Sequence, residues 1–309
     1  MNTKIKYSIC VANLNMGKTI VKALSSVLDN LDETFEMVVV DDGSTDDSHV
    51  RLEELKKKYS NLRTVYLSKD KRRTLAETRN ISIVEAKGEY CLMHIDCDDY
   101  WYPYLTDFVE VFHLVQKLHT EDILLKGHQV NMGKKDFLLE NGPYKFGHMV
   151  EDRDMWFRFA KIKRLVPIDH VIFRSRMPLS RKQKFQKKFL LTGIILRDEI
   201  RTGNRFPYYF TNLWKDYMNQ PFKLRVYKIL IFPICFLNAK KLGQIAQQKT
   251  DPAWEELVAI PVRNAKTVVE MYEDTNKNLT LDHISLGGRW VFSNKSKEKS
   301  IASIPNYSY

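Results

Sequence analysis

The chain has 309 residues, 44% hydrophobic and 28% charged, with a formal net charge of +11. That length carries one large domain, or a domain plus an appendage, with enough apolar material for a sizeable core. A disordered polar chain and a disulfide-stapled miniprotein are excluded, and the positive balance favours anionic partners: nucleotide phosphates, nucleic acid or an anionic membrane face.

In chain order, Met1-Asn2-Thr3-Lys4 leads straight into a strand pattern, so no signal peptide is expected. Residues 6–12 form an apolar run that reads as a buried first strand. It ends in Asn13-Leu14-Asn15-Met16-Gly17, a loop. Residues 18–28 place Ile20, Val21, Leu24, Val27 and Leu28 at helical spacing. Residues 35–40 are a second, β-branched strand that stops at Asp41-Asp42-Gly43-Ser44-Thr45-Asp46. A helix follows, with Val50, Leu52 and Leu55 as its apolar side, then a third strand over 62–67. Residues 74–86 read as a helix, with Thr74 as N-cap, Glu77 completing a capping box, and Gly88 as the stop. Residues 90–95 are a fourth strand, which must end at Asp96 because aspartate is depleted in strands.

Beyond Pro103, residues 104–118 predict an amphipathic helix with Leu105, Phe108, Val109, Phe112 and Val115 inward. A short strand over 122–125 and an irregular, Gly/Asn-rich loop over 127–147 follow. His128 and His148 lie there as ordinary polar loop residues. Met155, Trp156 and Phe159 make the next helical stripe, and residues 165–176 read as an edge strand pair around Pro167. After Pro178 the composition shifts. Residues 180–188 are strongly basic, and 223–242 carry an apolar centre flanked by Lys228, Lys240 and Lys241. That centre is too short to span a bilayer. It reads either as an interfacial helix or as a buried helix pair broken at Pro233. Residues 254–271 read as a helix or a strand pair, and the polar stretch 295–309 is expected to fray. Cys10, Cys91, Cys97 and Cys235 have no metal-knuckle or CxxC spacing, so reduced thiols in a cytoplasmic setting are expected.

Strands alternating with helices predict an α/β fold with a mostly parallel sheet covered on both faces. Ligands in such sheets sit beyond the carboxyl ends of the strands. Three strand ends carry polar clusters: Asn13 and Asn15; Asp41 and Asp42; Asp96, Asp98 and Asp99. Each alone reads as a turn or a helix cap. Together they predict a nucleotide pocket, with a hard divalent cation held by carboxylates and completed by phosphates. No GxGxxG or GxxxxGK[ST] follows the first strand, so neither a dinucleotide fold nor a P-loop is signalled.

The string Val38-Val39-Val40-Asp41-Asp42-Gly43-Ser44-Thr45-Asp46, then Thr78-Arg79-Asn80, Gly88-Glu89-Tyr90 and Asp96-Cys97-Asp98-Asp99-Tyr100-Trp101 with Pro103, resembles family 2 glycosyltransferases of the GT-A fold. The resemblance covers roughly the first half of the chain. It implies inverting transfer from a UDP- or GDP-type nucleoside diphosphate sugar to a hydroxyl acceptor, such as a polysaccharide, glycolipid or lipid-linked sugar. It places Asp42 on the base, Asp96 near the ribose and sugar, and Asp98 on Mn2+ or Mg2+. Asp99 is a further ligand or holds the loop. Arg79 faces the donor or forms a structural salt bridge. Ala12, Asn13, Asn15 and Asp41 complete the donor side. The Ala12-Asn13-Leu14-Asn15 end departs from the proline-threonine-tyrosine-asparagine type that members often carry.

The 127–147 loop falls over the acceptor side, followed by Glu151-Asp152 with Trp156 one turn on. The carboxylates suit a helix N-terminus electrostatically. They also resemble the family's acceptor motif, with Asp152 as general base and Glu151 and Trp156 beside the acceptor. Relatives often carry a histidine after a tyrosine-arginine pair that completes the metal shell. Here Phe173-Arg174-Ser175-Arg176 has none, so water completes the ion or Arg176 takes part of its work on the diphosphate.

The implied layout is a GT-A catalytic domain over 1–178, with a donor half 1–103 and an acceptor half 104–178, and a basic, mainly helical region over 179–309. The localisation expected is cytoplasmic, with attachment to an anionic inner membrane face as the variant. No nucleic-acid partner is expected, because the acidic strand ends would repel a phosphate backbone. A nucleotidyltransferase and a non-catalytic binding protein of the same fold are the alternatives.

Overall fold

In the computed structural model, residues 4–70, 72–145, 151–178, 189, 192–194, 196–197, 200, 222–242 and 260–305 are described. Strands β1 (Tyr7–Asn13), β2 (Phe35–Asp41), β3 (Leu62–Tyr66) and β4 (Tyr90–Asp96) run parallel, linked by helices α1 (Ile20–Leu28), α2 (Ser48–Lys58) and α3 (Leu75–Glu85). β2 is buried at every position and β1 at all but one, as strands covered on both faces must be. That is why they read as unbroken apolar runs rather than alternations. The Thr74/Glu77 capping box at the start of α3 is present as expected.

The spatial order begins β3-β2-β1-β4. The chain adds strands to one side of β1, then returns to the other. The order therefore reverses between β1 and β4, where a cleft opens in doubly wound sheets. Register places Asn13 opposite Asp41 and Ala12 opposite Asp96, so the polar strand ends share one edge.

The chain continues through β5 (Asp99–Trp101), α4 (Leu105–Gln116), β6 (Leu124–Lys126), β7 (Asn131–Lys134), α5 (Lys135–Asn141), α6 (Glu151–Lys161), β8 (Leu165–Pro167) and β9 (Arg174–Arg176). The main sheet has seven strands in the order β3-β2-β1-β4-β7-β6-β8, with β7 antiparallel to both neighbours. This is the mostly parallel α/β arrangement expected. On α4, the inward residues Leu105, Phe108, Val109, Phe112 and Val115 are all buried.

Several expectations are corrected. Residues 127–147 are not an irregular loop, since β7 and α5 lie within them. β8 and β9 are not partners: β8 pairs with β6, while β9 pairs antiparallel with β5 in a separate ribbon. Val50 is exposed, and Ser48 with Leu52 and Leu55 makes the buried side of α2. α7 (Phe222–Leu242) runs unbroken through Pro233. Its ring lies on the outward side of the helix. The basic run 180–188 and His148 lie outside the described residues.

Of the 254–271 stretch, the described part holds α8 (Ile260–Arg263), a single β-bridge from Lys266 to Ile168 and the start of α9 (Val268–Thr275), followed by α10 (Leu286–Ser293). Val268, Tyr272, Ile284, Val291 and Phe292 share the core that holds α4. Tyr272 donates its hydroxyl to the Leu114 carbonyl at 2.9 Å. Asp107 accepts from the Ser285 backbone and hydroxyl, both at 2.8 Å. The polar tail is tied down through residue 305 rather than frayed. Ser296 N–H donates to Asp169 at 3.1 Å, and Ile301 and Ile304 pack on the core.

His128 and His170 seal this core from the β6 side. His128 meets Asp169 at 2.8 Å, and its backbone N–H donates to His170 Nε2 at 2.9 Å. His170 Nδ1 lies 2.9 Å from the Val171 carbonyl, so both ring nitrogens are used by the neutral tautomer. Burial pushes His170 down to about 3. The unfolded chain takes up a proton near pH 6.5 that the folded chain refuses until about pH 3. Stability contributed by the neutral ring is thus complete above pH 6.5 and lost as pH falls. Denaturant unfolding should show a loss of about 1.4 kcal/mol per pH unit from this ring between pH 6 and pH 4. His170→Gln should flatten that slope, and an equal slope in the variant would contradict the assignment.

Candidate active site

At the carboxyl edge of the sheet, the loops after β1 and β2 are stitched together. Asn13 Nδ2 donates to Asp41 Oδ2 at 2.6 Å and to Ser44 Oγ at 3.2 Å. Asn15, held at φ +55°, accepts from Thr45 N–H at 2.8 Å and donates its own N–H to Ser44 Oγ at 2.8 Å. Asn13 Oδ1 is buried without a partner among the described residues. Asp42 is buried against Arg73 in an ion pair. Arg73 did not stand out in the sequence.

The fourth strand end holds the acidic cluster. Asp96, Asp98 and Asp99 each offer an oxygen, and these lie within 4.8 Å of one another. The β5–β9 ribbon swings two cations onto them. Arg176 Nη2 lies 3.2 Å from Asp96 and 3.5 Å from Asp98, and its Nε lies 3.1 Å from Asp99. Arg174 Nη1 is 2.7 Å from Asp99, which is fully enclosed. Burial raises Asp99 above the usual carboxylate range even though both arginines pull it down. At Asp96 the balance is reversed: desolvation pushes it up, but Arg79, His94 and Arg176 together hold it below that range. The donor set is all carboxylate oxygen, which suits Mn2+ or Mg2+.

Arg79, buried on α3, ties the cluster to the far side of the cleft. One terminal nitrogen reaches Asp96 at 3.0 Å, and the other meets Glu151 at 3.0 Å and Asp152 at 3.1 Å. Its guanidinium carbon lies over the Tyr144 ring, 5.5 Å from the centroid. Asn80 pins Tyr144 by hydrogen bonds to its backbone on both sides. The sequence left Arg79 between a donor contact and a structural salt bridge. The geometry makes it a bridge between Asp96 and the Glu151–Asp152 pair.

His94 is the residue that sequence reasoning missed. Opposite it, β1 advances two residues while β4 advances three, a β-bulge, and His94 sits at φ +70°. A non-glycine residue there is strained, and such bulges often re-aim a side chain beside an active site. Here the ring turns to Asp152, with Nε2 at 3.2 Å from Oδ2. Burial holds the ring below its ordinary pKa, outweighing the Asp152 charge. The available signal was a lone histidine in the apolar run Leu92-Met93-His94-Ile95.

On α6, Asp152 is partly open to solvent, whereas Glu151 is enclosed and its Oε2 has no partner among the described residues. Burial and the neighbouring Asp152 push Glu151 well above the usual carboxylate range, against the pull of Arg79. One turn on, Trp156 donates its indole N–H to Asn131 at 3.3 Å, and Lys126 Nζ sits 4.4 Å from the ring centroid. Burial pushes the Lys126 ammonium down to about 8, with Asp152 opposing.

A mostly parallel sheet with acidic side chains gathered at its switch point has the layout in which doubly wound domains place ligands beyond the strand ends. The family model of glycosyl transferase family 2 matches residues 8–115. Two curated relatives match part of the chain. An uncharacterized glycosyltransferase of Nostoc sp. is 30% identical over 131 residues, covering 39% of this chain and 38% of the relative. The teichoic acid poly(glycerol phosphate) polymerase of Staphylococcus epidermidis is 28% identical over 134 residues, covering 43% of this chain and 18% of the relative. The chain thus spans well under half the length of either curated relative. Among solved structures, S. aureus TarS 1–349 aligns at 19% identity with a TM-score of 0.47, over 87% of this chain and 92% of that one.

Proposed function

We propose that the chain is an inverting, metal-dependent glycosyltransferase that moves a sugar from a nucleoside diphosphate sugar of UDP or GDP type to a hydroxyl acceptor. The observation that carries this is the convergence of Asp96, Asp98 and Asp99 at the switch point of a family 2 sheet. Ala12, Asn13, Asn15, Asp41 and Asp42 line the donor side, where the buried, unpartnered Asn13 Oδ1 is suited to a nucleoside donor group. Asp98, with Asp99 behind it, would hold Mn2+ or Mg2+. When bound, the cation supplies charge stabilisation to the departing diphosphate. Arg176 touches all three carboxylates and can share that anionic charge.

Asp152 is the general base, taking the acceptor hydroxyl proton on its carboxylate as the oxygen attacks the anomeric carbon in line. His94 and Arg79 hold that carboxylate in place. Glu151 and Trp156 shape the acceptor side. A nucleotidyltransferase fits less well, because the loop after β1 is spanned by amide hydrogen bonds rather than a glycine-rich phosphate cradle.

The Asp98→Ala variant tests the donor site. In the native chain, UDP-sugar with Mn2+ at about a hundred times Kd should stabilise the fold by about 2.7 kcal/mol. In the variant that gain should vanish with cooperative unfolding intact. Unchanged metal-dependent stabilisation would refute the role of Asp98.

A further inference from the structure

Helix α7 has an outward face that no described residue covers. Phe222, Val226, Ile229, Leu230, Ile234 and Leu237 recur every three or four positions along it, and all are exposed, Phe222 at 74%, Leu230 at 68% and Leu237 at 66%. The opposite face is seated: Leu224, Cys235 and Ala239 are buried, and the Cys235 thiol donates to the Gly193 carbonyl at 3.4 Å. The apolar stripe runs about 22 Å along the helix at 1.5 Å per residue. A continuous exposed patch of this kind marks an interaction surface rather than scattered surface apolar residues.

The charge on the helix selects the occupant. Its 21 residues carry Lys223, Arg225, Lys228, Lys240 and Lys241 and no acidic residue. Exposed Lys240 and Lys241 close the stripe at its C-terminal end. A second copy docked face to face would set these cations against their own kind. An anionic surface would pair with them while the apolar stripe enters the headgroup boundary. No helix among the described residues is long and apolar enough to cross a membrane, so contact of this kind would be interfacial.

We propose that the outward face of α7 docks this chain on an anionic lipid bilayer, lying in the plane of the interface. The docking is separate from the acidic cleft and would hold whether or not the chain transfers sugar.

The test is cosedimentation of the full chain with vesicles of phosphatidylglycerol and phosphatidylcholine, against vesicles of phosphatidylcholine alone. Binding should be at least about tenfold stronger to the anionic vesicles and weaken as salt screens the charges. Lys240→Gln and Lys241→Gln should each weaken it about fivefold, the equivalent of about 1 kcal/mol per cation at an anionic surface. The double variant L230E/L237E should lose binding while its thermal midpoint and donor-dependent stabilisation stay as in the native chain. Native chain left in the supernatant with anionic vesicles would overturn the proposal. So would undiminished binding by the double variant. A concentration-dependent dimer in the native chain that the double variant dissolves would assign the face to a second copy. A large drop in the variant's thermal midpoint would assign it to other segments of this chain.

Discussion

Arg79→Met should destabilise the fold by about 3–5 kcal/mol, the usual result of removing one partner from a buried ion pair. Arg79 is the cation that faces Asp96, Glu151 and Asp152 together, and its own side chain is 9% exposed. Without it, three carboxylates crowd a poorly hydrated space and repel. Glu151, whose pKa burial already holds above its unfolded value, would be pushed higher still. Stability is then retained below the unfolded value and lost as pH climbs through the folded one, so the penalty should be larger at pH 8 than at pH 6. Arg79→Lys should recover part of the loss, since a single ammonium restores charge but not the fork that reaches both walls. Urea unfolding at the two pH values measures all of this. A loss below about 1 kcal/mol would mean the network is worth no more than a surface pair.

The legible parts of this fold were those written locally. β1, β2 and β4 announce themselves as β-branched or apolar runs stopped by Asn13, Asp41 and Asp96. The α3 capping box needs only Thr74 and Glu77. What stayed hidden depends on distant partners. β7, Asn131-Met132-Gly133-Lys134, has no β-branched residue and is a strand because β4 and β6 hold it on either side. Gly133 reads as a loop signal but serves close packing, as a Cβ there would meet Leu138 at 3.0 Å. Arg174 and Arg176 are two positions apart, so a short strand projects both to one side. Only the pairing with β5 shows that the side is Asp99. The direction of His94 depends on a bulge, which no residue pattern in β4 announces. The acidic residues of the cleft, with Arg79 and Arg176, were therefore visible in the sequence, while the pairings among them and the turn of His94 onto Asp152 were not.

Asp152→Asn should keep donor binding and lose about 10²- to 10⁴-fold in turnover, the range for removing a positioned general base. The substitution preserves shape and can still accept from His94 and Arg79 through its oxygen, so the fold has little reason to change. Glu151→Gln separates the two candidate carboxylates. A base must meet an incoming hydroxyl and be free to take its proton. Asp152 has 17% of its side chain exposed and Glu151 has 4%. Burial also keeps Glu151 inclined to hold a proton already. Glu151→Gln should therefore retain most of its turnover while shifting stability, because the neutral amide removes one of three charges around Arg79. Asp154→Asn is the control on the same helix: it weakens the 2.9 Å pair with Arg158 and leaves Asp152 itself unchanged. Single-turnover transfer with saturating donor isolates the step from binding. Full activity in Asp152→Asn, or an equal collapse in Asp154→Asn, would remove Asp152 as the base and leave its contact with His94 a structural one.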